Sequence, residues 1–308
     1  MDSTTSLGSI PIVDFAPFLE GDAGDRRRTA QQIYRACHDV GFLYLHNHGI
    51  PADLIHQLME QVQHFFALPI EAKQALARSP ETNCGYVGLQ QERLDPSQPG
   101  DIKEAFNAGL QAIWPSSLPN FEPTVMTFYR HCIQSVAPKI LQAFAIALGL
   151  PEPYFDDKHR DNYFLRLLHY PPLHHPLEPG QRRAGTHTDY GSITLLLQDE
   201  VGGLEVQTRD GQWIKVDAIP GTILVNVGDA MQRWTNDTFC STPHRVQPLH
   251  GEAGRRSRYS VALFCDPNPD VLIECLPGCC TSDRPPRYPP ILTRDHLDAK
   301  LRATYEKG

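Results

Sequence analysis

The sequence predicts a mainly β protein with flanking helices, in which a sandwich or jelly-roll core follows a mixed α/β N-terminal region. From about residue 163 onward, short apolar or alternating runs are separated by Gly, Pro, Asn or Asp, with no helical pattern between them. Before that point helical periodicity dominates. Because many short, evenly spaced strands are typical of a sandwich or jelly roll, we expect the core in the second half of the chain.

The N-terminal region, residues 1–160, contains strand and helix patterns. SIPIVDF and FLYLHNHG are strand patterns, and RRRTAQQIYRACHDVG between them is a helix pattern that ends at Gly41. A second helix, PADLIHQLMEQVQHFFALP, lies between two prolines. In TVMTFYRHCIQSVAPKILQAFAIALGLP, apolar residues recur at three- and four-residue spacing, which predicts an amphipathic helix. Pro138 should kink this helix and Gly149 should cap it.

The predicted catalytic core spans residues 161–280, and residues 281–308 are expected to form a C-terminal helix. The strand patterns of the core are YFLRLLHY, SITLLLQ, LEVQ, WIKVDAI, TILVNV, HRVQPL and RYSVALFC. No linker-like stretch divides the two halves, so we expect them to pack as one unit.

The composition is that of an ordinary globular protein, with 308 residues, 41% hydrophobic and 21% charged. The formal net charge of −8 argues against a nucleic-acid partner, because phosphate neutralisation requires clustered Lys and Arg. No segment approaches the roughly 20 apolar residues that a membrane span requires, and the start of the sequence has no leader pattern. The eight cysteines are scattered without C-x-x-C spacing, which favours reduced thiols and a cytoplasmic location.

A metal site is predicted from the stretch GTHTDYGSITLLLQ, which holds His187 and Asp189 two residues apart at the start of an apolar strand. Residues at i and i+2 of a strand project to the same side. His244, 55 residues after Asp189 and at the start of a later strand, is the best candidate for a third ligand. Two imidazoles and one carboxylate with open coordination positions are typical of non-haem Fe(II) oxygenases. For the His–Asp pair alone, the alternative is a pair of solvated polar residues.

A carboxylate site is predicted from RYS, in which Arg258 and Ser260 again stand at i and i+2 of a strand. A guanidinium beside a hydroxyl is well shaped to hold a carboxylate by charge-assisted hydrogen bonds. A dicarboxylic co-substrate would place one carboxylate on this pair and its other end on the metal.

The order of H-T-D, VNVGDAMQRWTND, STPHRV and RYS resembles that of the 2-oxoglutarate and Fe(II)-dependent dioxygenases, in the branch typified by isopenicillin N synthase. Further motifs of that branch are IPIVDF, GFLYLHNHGIP, FFALPIEAK, GYVG, DIKEAFNAG and ALGLPEPYF. The resemblance implies a double-stranded β-helix, and a reaction that consumes 2-oxoglutarate and O2 and releases succinate and CO2. It implies that His187, Asp189 and His244 bind Fe(II), and that Arg258 and Ser260 bind the distal carboxylate of 2-oxoglutarate.

The resemblance also implies roles for four further residues. Tyr170, in LLHYPP, takes the place of the Tyr in an Asn-x-Tyr motif that contacts the co-substrate, although the Asn position is Leu168 here. LRLLHYP, HTDYGSITLL and RYS-x-A-x-F resemble the thymine 7-hydroxylase group of fungi, whose nucleobase pocket would correspond to Arg166, Tyr190 and Phe264. The alternatives are a strand-end salt bridge for the Arg and core packing for the Phe.

Tyr190 reaches a site beside the metal only if the chain departs from strand geometry after the ligands. Continued alternation would turn its side chain away, so a role in substrate binding requires a bend at Gly191.

Two other functions are compatible with the residues. One is an Fe(II) oxidase of the same fold that uses no 2-oxoglutarate, and the other is a non-catalytic jelly-roll protein that binds a small carboxylate.

Overall fold

The computed structural model describes residues 9–95, 98–175 and 177–305. Its strands form three sheets, of eight, four and two strands. The strands are β1 (Ile12–Asp14), β2 (Phe42–His46), β3 (Gly85–Val87), β4 (Glu104–Ala108), β5 (Tyr163–Tyr170), β6 (Ala184–His187), β7 (Ile193–Gln198), β8 (Leu204–Gln207), β9 (Trp213–Lys215), β10 (Thr222–Val227), β11 (His244–Val246), β12 (Arg258–Cys265), β13 (Leu272–Ile273) and β14 (Ile291–Leu292). The order is β1-β2-β10-β7-β12-β5-β4-β3 in the large sheet and β6-β11-β8-β9 in the small sheet.

The helices lie mainly in the N-terminal half. They are α1 (Ala16–Glu20), α2 (Ala23–Asp39), α3 (Ala52–Phe66), α4 (Ile70–Gln74), α5 (Phe121–His131), α6 (Ala137–Ala147), α7 (Asp229–Trp234), α8 (Gly251–Gly254) and α9 (Thr293–Tyr305). A π-helical segment, Cys132–Val136, joins α5 to α6, and a 3₁₀ helix, Glu152–Lys158, precedes β5. None of the described helices is both long and apolar enough to cross a membrane.

The large sheet is buried on both faces, and β12 shows how its sequence divides between them. Val261 and Leu263 belong to the core formed with the N-terminal helices, whereas Ala262 and Phe264 contact the second core, between the two sheets. This follows from the two-residue period of a strand. The two facing sheets form the jelly-roll core that the sequence predicts, and the helices cover the outer face of the large sheet.

The expectation that no helix interrupts the core strands was wrong. Helix α7 follows β10 directly, and α8 precedes β12. Three apolar residues of α7, Ala230, Met231 and Trp234, are buried. A helix of six residues is too short for a 3.6-residue period to be recognised in the sequence.

The long N-terminal helix pattern departs from α geometry where Pro138 requires it. The π-helical segment ends two residues before Pro138, and α6 then begins with the proline in its first turn. Proline lacks the N–H that would continue the hydrogen bonding, so the π turn takes up the mismatch. Gly149 follows α6 with φ of 72°, the left-handed conformation expected of a helix-ending glycine.

Strands from the first half of the chain extend the large sheet at both edges. β1 and β2 join it beside β10, and β3 and β4 join it beside β5. The division into residues 1–160, 161–280 and 281–308 stays a prediction. Residues 1–8, used in the argument against a leader, and residues 306–308, at the end of the predicted C-terminal helix, lie outside the described residues.

Candidate active site

His187, Asp189 and His244 converge at one end of the space between the two sheets. The two histidines are register partners on β6 and β11. One ligand atom from each of the three residues lies within 4.8 Å of the others. Asp189 Oδ1 is 3.7 Å from His244 Nε2 and 4.0 Å from His187 Nε2. Asp189 lies just beyond the end of β6 rather than in a strand, so convergence does not come from strand alternation as the sequence suggested.

Both imidazoles are oriented for metal binding through Nε2. His187 Nδ1 lies 2.8 Å from the Gly185 carbonyl oxygen, and His244 Nδ1 lies 3.1 Å from that of Thr242. A carbonyl oxygen only accepts, so each Nδ1 carries the proton and each Nε2 presents a lone pair. Burial, together with the neighbouring His244, lowers the pKa of His187 to about 3. His187 is therefore neutral at physiological pH, as a metal ligand must be.

The carboxylate of Asp189 is fixed by two side chains of the large sheet. Its Oδ2 accepts hydrogen bonds from Thr194 Oγ1 at 2.6 Å and from Asn226 Nδ2 at 2.7 Å. Burial raises the pKa of Asp189, but the two histidines and these hydrogen bonds outweigh it and hold the pKa below its usual value. The group is thus an ionised acceptor whose Oδ1 faces both imidazoles. Two imidazoles and one carboxylate fit a divalent cation such as Fe(II).

Arg258 is a buried cation that faces the same space. Its side chain is 1% exposed, with one terminal nitrogen 2.8 Å from Gln198 Oε1 and the other 3.3 Å from Ser260 Oγ. The guanidinium carbon lies 4.7 Å from the centre of the Tyr170 ring. Arg258 has no ion pair with a carboxylate of the described residues. A buried guanidinium without an ion-pair partner in contact is costly, and the carboxylate of a ligand would relieve this cost.

A single cavity of about 400 Å³ brings together all nine residues that the sequence singled out. They are His187, Asp189, His244, Arg258, Ser260, Tyr170, Arg166, Tyr190 and Phe264. The chain bends at residues 190–192, which brings Tyr190 to the cavity wall. Phe264 is half-buried, and its ring lies 6.3 Å from that of Phe164. The volume suits a small organic molecule beside a co-substrate.

Arg166 belongs to a charged wall of the cavity that the sequence did not reveal. Its guanidinium pairs with Glu92 Oε1 at 2.5 Å. Lys103 Nζ lies 2.5 Å from Asp101 Oδ2 and 3.4 Å from Glu92 Oε2. The partners are up to 74 residues apart in the chain, so the sequence does not show that they pair. The charged residues of DIKEAFNAG were its only indication of a charged wall. The salt bridge expected for Arg166 as an alternative is present, and its guanidinium still lines the cavity.

Helix α9 closes another side of the cavity with Leu297 and Leu301. His296 Nε2 lies 3.0 Å from the Tyr190 carbonyl oxygen, and Lys300 Nζ lies 2.6 Å from Asp229 Oδ2. The C-terminal helix is therefore connected to the segment that follows the ligands. The sequence indicated the helix and not its place in the cavity wall.

Comparison with known proteins agrees with this geometry. Residues 161–267 match the model of the 2OG-Fe(II) oxygenase superfamily, and residues 10–124 match the N-terminal model described as non-haem dioxygenase in morphine synthesis. The 2-oxoglutarate-Fe(II) type oxidoreductase hxnY of Emericella nidulans is 34% identical over 97% of this chain and 91% of its own length. This chain belongs to the 2OG-Fe(II) oxygenase superfamily. It is a non-haem oxygenase that uses Fe(II), 2-oxoglutarate and O2 and releases succinate and CO2.

Other members are similar over nearly their whole length. Proline hydroxylase buaE of Petromyces alliaceus is 38% identical over 95% of this chain and 98% of its own. The thymine 7-hydroxylase of Neurospora crassa, solved in complex with alpha-KG, is 37% identical with a TM-score of 0.90 and covers 97% of each chain. A second structure of that enzyme contains thymine as well. These relatives favour a 2-oxoglutarate-dependent oxygenase over both alternative functions.

Proposed function

We propose that this oxygenase oxidises a small organic molecule held in the 400 Å³ cavity, with Fe(II) bound by His187, Asp189 and His244. The observation that carries the proposal is the convergence of two imidazoles and one fixed carboxylate within 4.8 Å at the wall of that cavity. When bound, Fe(II) supplies O2 activation coupled to the decarboxylation of 2-oxoglutarate. The chain itself supplies orientation, a dry space and fixed charges.

We assign the anchoring of 2-oxoglutarate to Arg258 and Ser260. The guanidinium and the hydroxyl line the same cavity and provide donors for the distal carboxylate. Gln198 fixes one end of the guanidinium, so the fork is oriented before the co-substrate binds. Tyr170 packs its ring against the fork and excludes water from it.

The prime substrate is proposed to contact Arg166, Tyr190 and Phe264, which line the cavity together with α9. Thymine, which the Neurospora enzyme binds, and proline, suggested by the name of buaE, are candidates of suitable size. The mixed lining of charged, aromatic and leucine side chains favours a small molecule with both a polar edge and an apolar face.

Two further proposals concern the branch and the location. The N-terminal family match at residues 10–124 supports membership of the isopenicillin N synthase-like branch. The eight cysteines, all within the described residues, are free, which supports a cytoplasmic location.

The direct test is a screen for substrate-stimulated turnover of 2-oxoglutarate. Pyrimidine bases, amino acids including proline, and small phenolics are each incubated with the Fe(II) protein, 2-oxoglutarate and O2, and succinate and CO2 are measured. We expect one class to stimulate formation of both products in equal amounts. Oxidation of a substrate without succinate would indicate the 2-oxoglutarate-independent oxidase, and absence of any turnover over the whole panel would indicate a binding protein.

A further inference from the structure

Asp266 continues the row of β12 residues that face the cavity. Arg258, Ser260, Ala262 and Phe264 stand at every second position and line the cavity, and Asp266 is the next member of the row. The strand itself ends at residue 265, but the two-residue period continues for one more step. The sequence offered no reason to select this aspartate.

The position of Asp266 is fixed by the backbone around it. Its N–H donates to the Asn162 carbonyl oxygen at 3.0 Å, and the N–H of Ser192 donates to the Cys265 carbonyl oxygen at 3.1 Å. The end of β12 is thereby held from both sides. These hydrogen bonds fix the backbone at Asp266, and with it the direction in which its side chain projects.

Gly191 makes room for the carboxyl group. A Cβ atom built on Gly191 would lie 1.7 Å from Asp266 Oδ1 and 2.8 Å from its Cγ. The φ angle of Gly191 is not in the left-handed region, so its backbone conformation does not require glycine. A side chain at position 191, two residues after Asp189, would collide with the Asp266 carboxyl group, and this explains the glycine there.

The Asp266 carboxyl group has no hydrogen bond or ion pair with the described residues. The charged wall is different, because Arg166 and Lys103 are each paired with Glu92. Burial, together with the negative charge of Asp189, raises the pKa of Asp266 to about 7. Asp266 is half-buried and lines the cavity, so its carboxyl group is accessible to a donor on a ligand. The Asp266 carboxyl group is thus an acceptor at the cavity wall to which no described residue donates.

We propose that Asp266 is a specificity-determining residue that binds an N–H group of the prime substrate, which is therefore a small amine or N–H heterocycle. A protonated nitrogen of the substrate would supply the positively charged hydrogen-bond donor that the Asp266 carboxylate lacks. Phe264, the preceding residue of the row, offers an aromatic face that attracts a cation. An anionic group at this position would instead be repelled by Asp266 and Asp189.

The inference rests on the proposed function, because it takes the cavity to be the substrate site. Its test uses the anaerobic Fe(II) protein with 2-oxoglutarate bound, whose charge-transfer band reports substrate binding without turnover. The probes are three pairs in which the second member lacks the N–H donor: piperidine with tetrahydropyran and pyrrolidine with tetrahydrofuran, where the positive charge is lost as well, and thymine with 1,3-dimethylthymine, where the N–H groups are methylated. We expect at least one N–H probe to bind 10-fold or more tightly than its partner.

Four variants decide whether this preference belongs to Asp266. D266A should abolish the preference, and G191A should abolish it by displacing the carboxyl group. D270N removes an exposed aspartate of the same segment and should leave the preference intact. D266N tests the charge alone and should weaken the amine probes more than thymine. The 2-oxoglutarate titration itself should be unchanged in all of them.

The outcomes separate the two proposals. If 2-oxoglutarate produces no charge-transfer band in the wild-type protein, the proposed function fails. If the band forms but no N–H probe is preferred over its partner, or if the preference survives in D266A, the role of Asp266 is refuted and the proposed function stands.

Discussion

Replacement of Arg258 by methionine should weaken 2-oxoglutarate binding without unfolding the protein. The guanidinium is 1% exposed, so R258M leaves both Gln198 Oε1 and the distal carboxylate of the co-substrate without a charged donor. Truncating one partner of a buried, hydrogen-bonded charge pair costs about 2–5 kcal/mol, which corresponds to roughly a 30-fold to several-thousand-fold rise in Kd. Methionine retains most of the side-chain length, so the contact with Tyr170 is largely preserved.

The assay is an anaerobic titration of the Fe(II) protein with 2-oxoglutarate, followed by the charge-transfer band. R256M is the matched control, because the Arg256 side chain is 52% exposed and pairs with Glu200 in solvent. Its Kd should equal that of the wild-type protein. A folded R258M protein that binds 2-oxoglutarate within threefold of the wild-type affinity would refute the role of Arg258 as the carboxylate anchor.

Three other substitutions test a hydrogen bond to a metal ligand, a buried ion pair and the ionisation of Asp266. N226L removes the 2.7 Å hydrogen bond to Asp189 and should lower Fe(II) affinity by about 10- to 100-fold in metal titrations. E104Q leaves the buried Lys73 ammonium without its counter-charge and should lower the free energy of unfolding by about 3–5 kcal/mol, whereas E200Q, at an exposed pair, should change it by less than about 1 kcal/mol. D266N should stabilise the metal-free protein increasingly with pH. The pKa of Asp266 is raised to about 7 in the folded protein, so ionisation of this group destabilises the fold at every pH above its pKa in the unfolded chain. Asn cannot ionise, and the increase in the free energy of unfolding that D266N causes, measured with denaturant, should therefore grow by about 2–3 kcal/mol from pH 5 to pH 8.

The strands of the core were predictable because their side chains obey a simple period. RYSVALFC corresponds to β12, Arg258–Cys265, and YFLRLLHY corresponds to β5, Tyr163–Tyr170. Both strands lie in the middle of the large sheet, where each face packs against a separate apolar core. Local sequence and tertiary packing therefore favour the same structure. The spacing of Arg258 and Ser260 also predicted their common orientation.

Strands β3 and β4 were not predicted, because their burial depends on distant partners. β4 carries Glu104 and Asn107, and both are buried. Glu104 accepts hydrogen bonds from Lys73 and Tyr86 and lies 2.7 Å from His169 Nδ1. A strand pattern that includes such residues is read as a loop unless their partners are known. The same reason hid Asp266, whose place in the cavity depends on Gly191, 75 residues earlier.

The sequence selected three residues that lie close together in the structure, but it did not predict the geometry that brings them together. His187 and Asp189 were selected as neighbours on a strand, whereas β6 ends at His187. Asp189 faces the histidines because Thr194 and Asn226 hold its other oxygen. Hydrogen bonds formed between different strands thus replace the alternation that the sequence suggested.

The central claim is that His187, Asp189 and His244 hold one Fe(II) to which 2-oxoglutarate binds. The most direct measurement is the charge-transfer spectrum of the anaerobic protein after addition of Fe(II) and 2-oxoglutarate, compared among wild type, H244A and H250A. His250 is exposed and close to His244 in sequence, so H250A controls for the loss of a histidine. We predict the band in the wild-type and H250A proteins and its loss in H244A. A band of full intensity in folded H244A would contradict the claim.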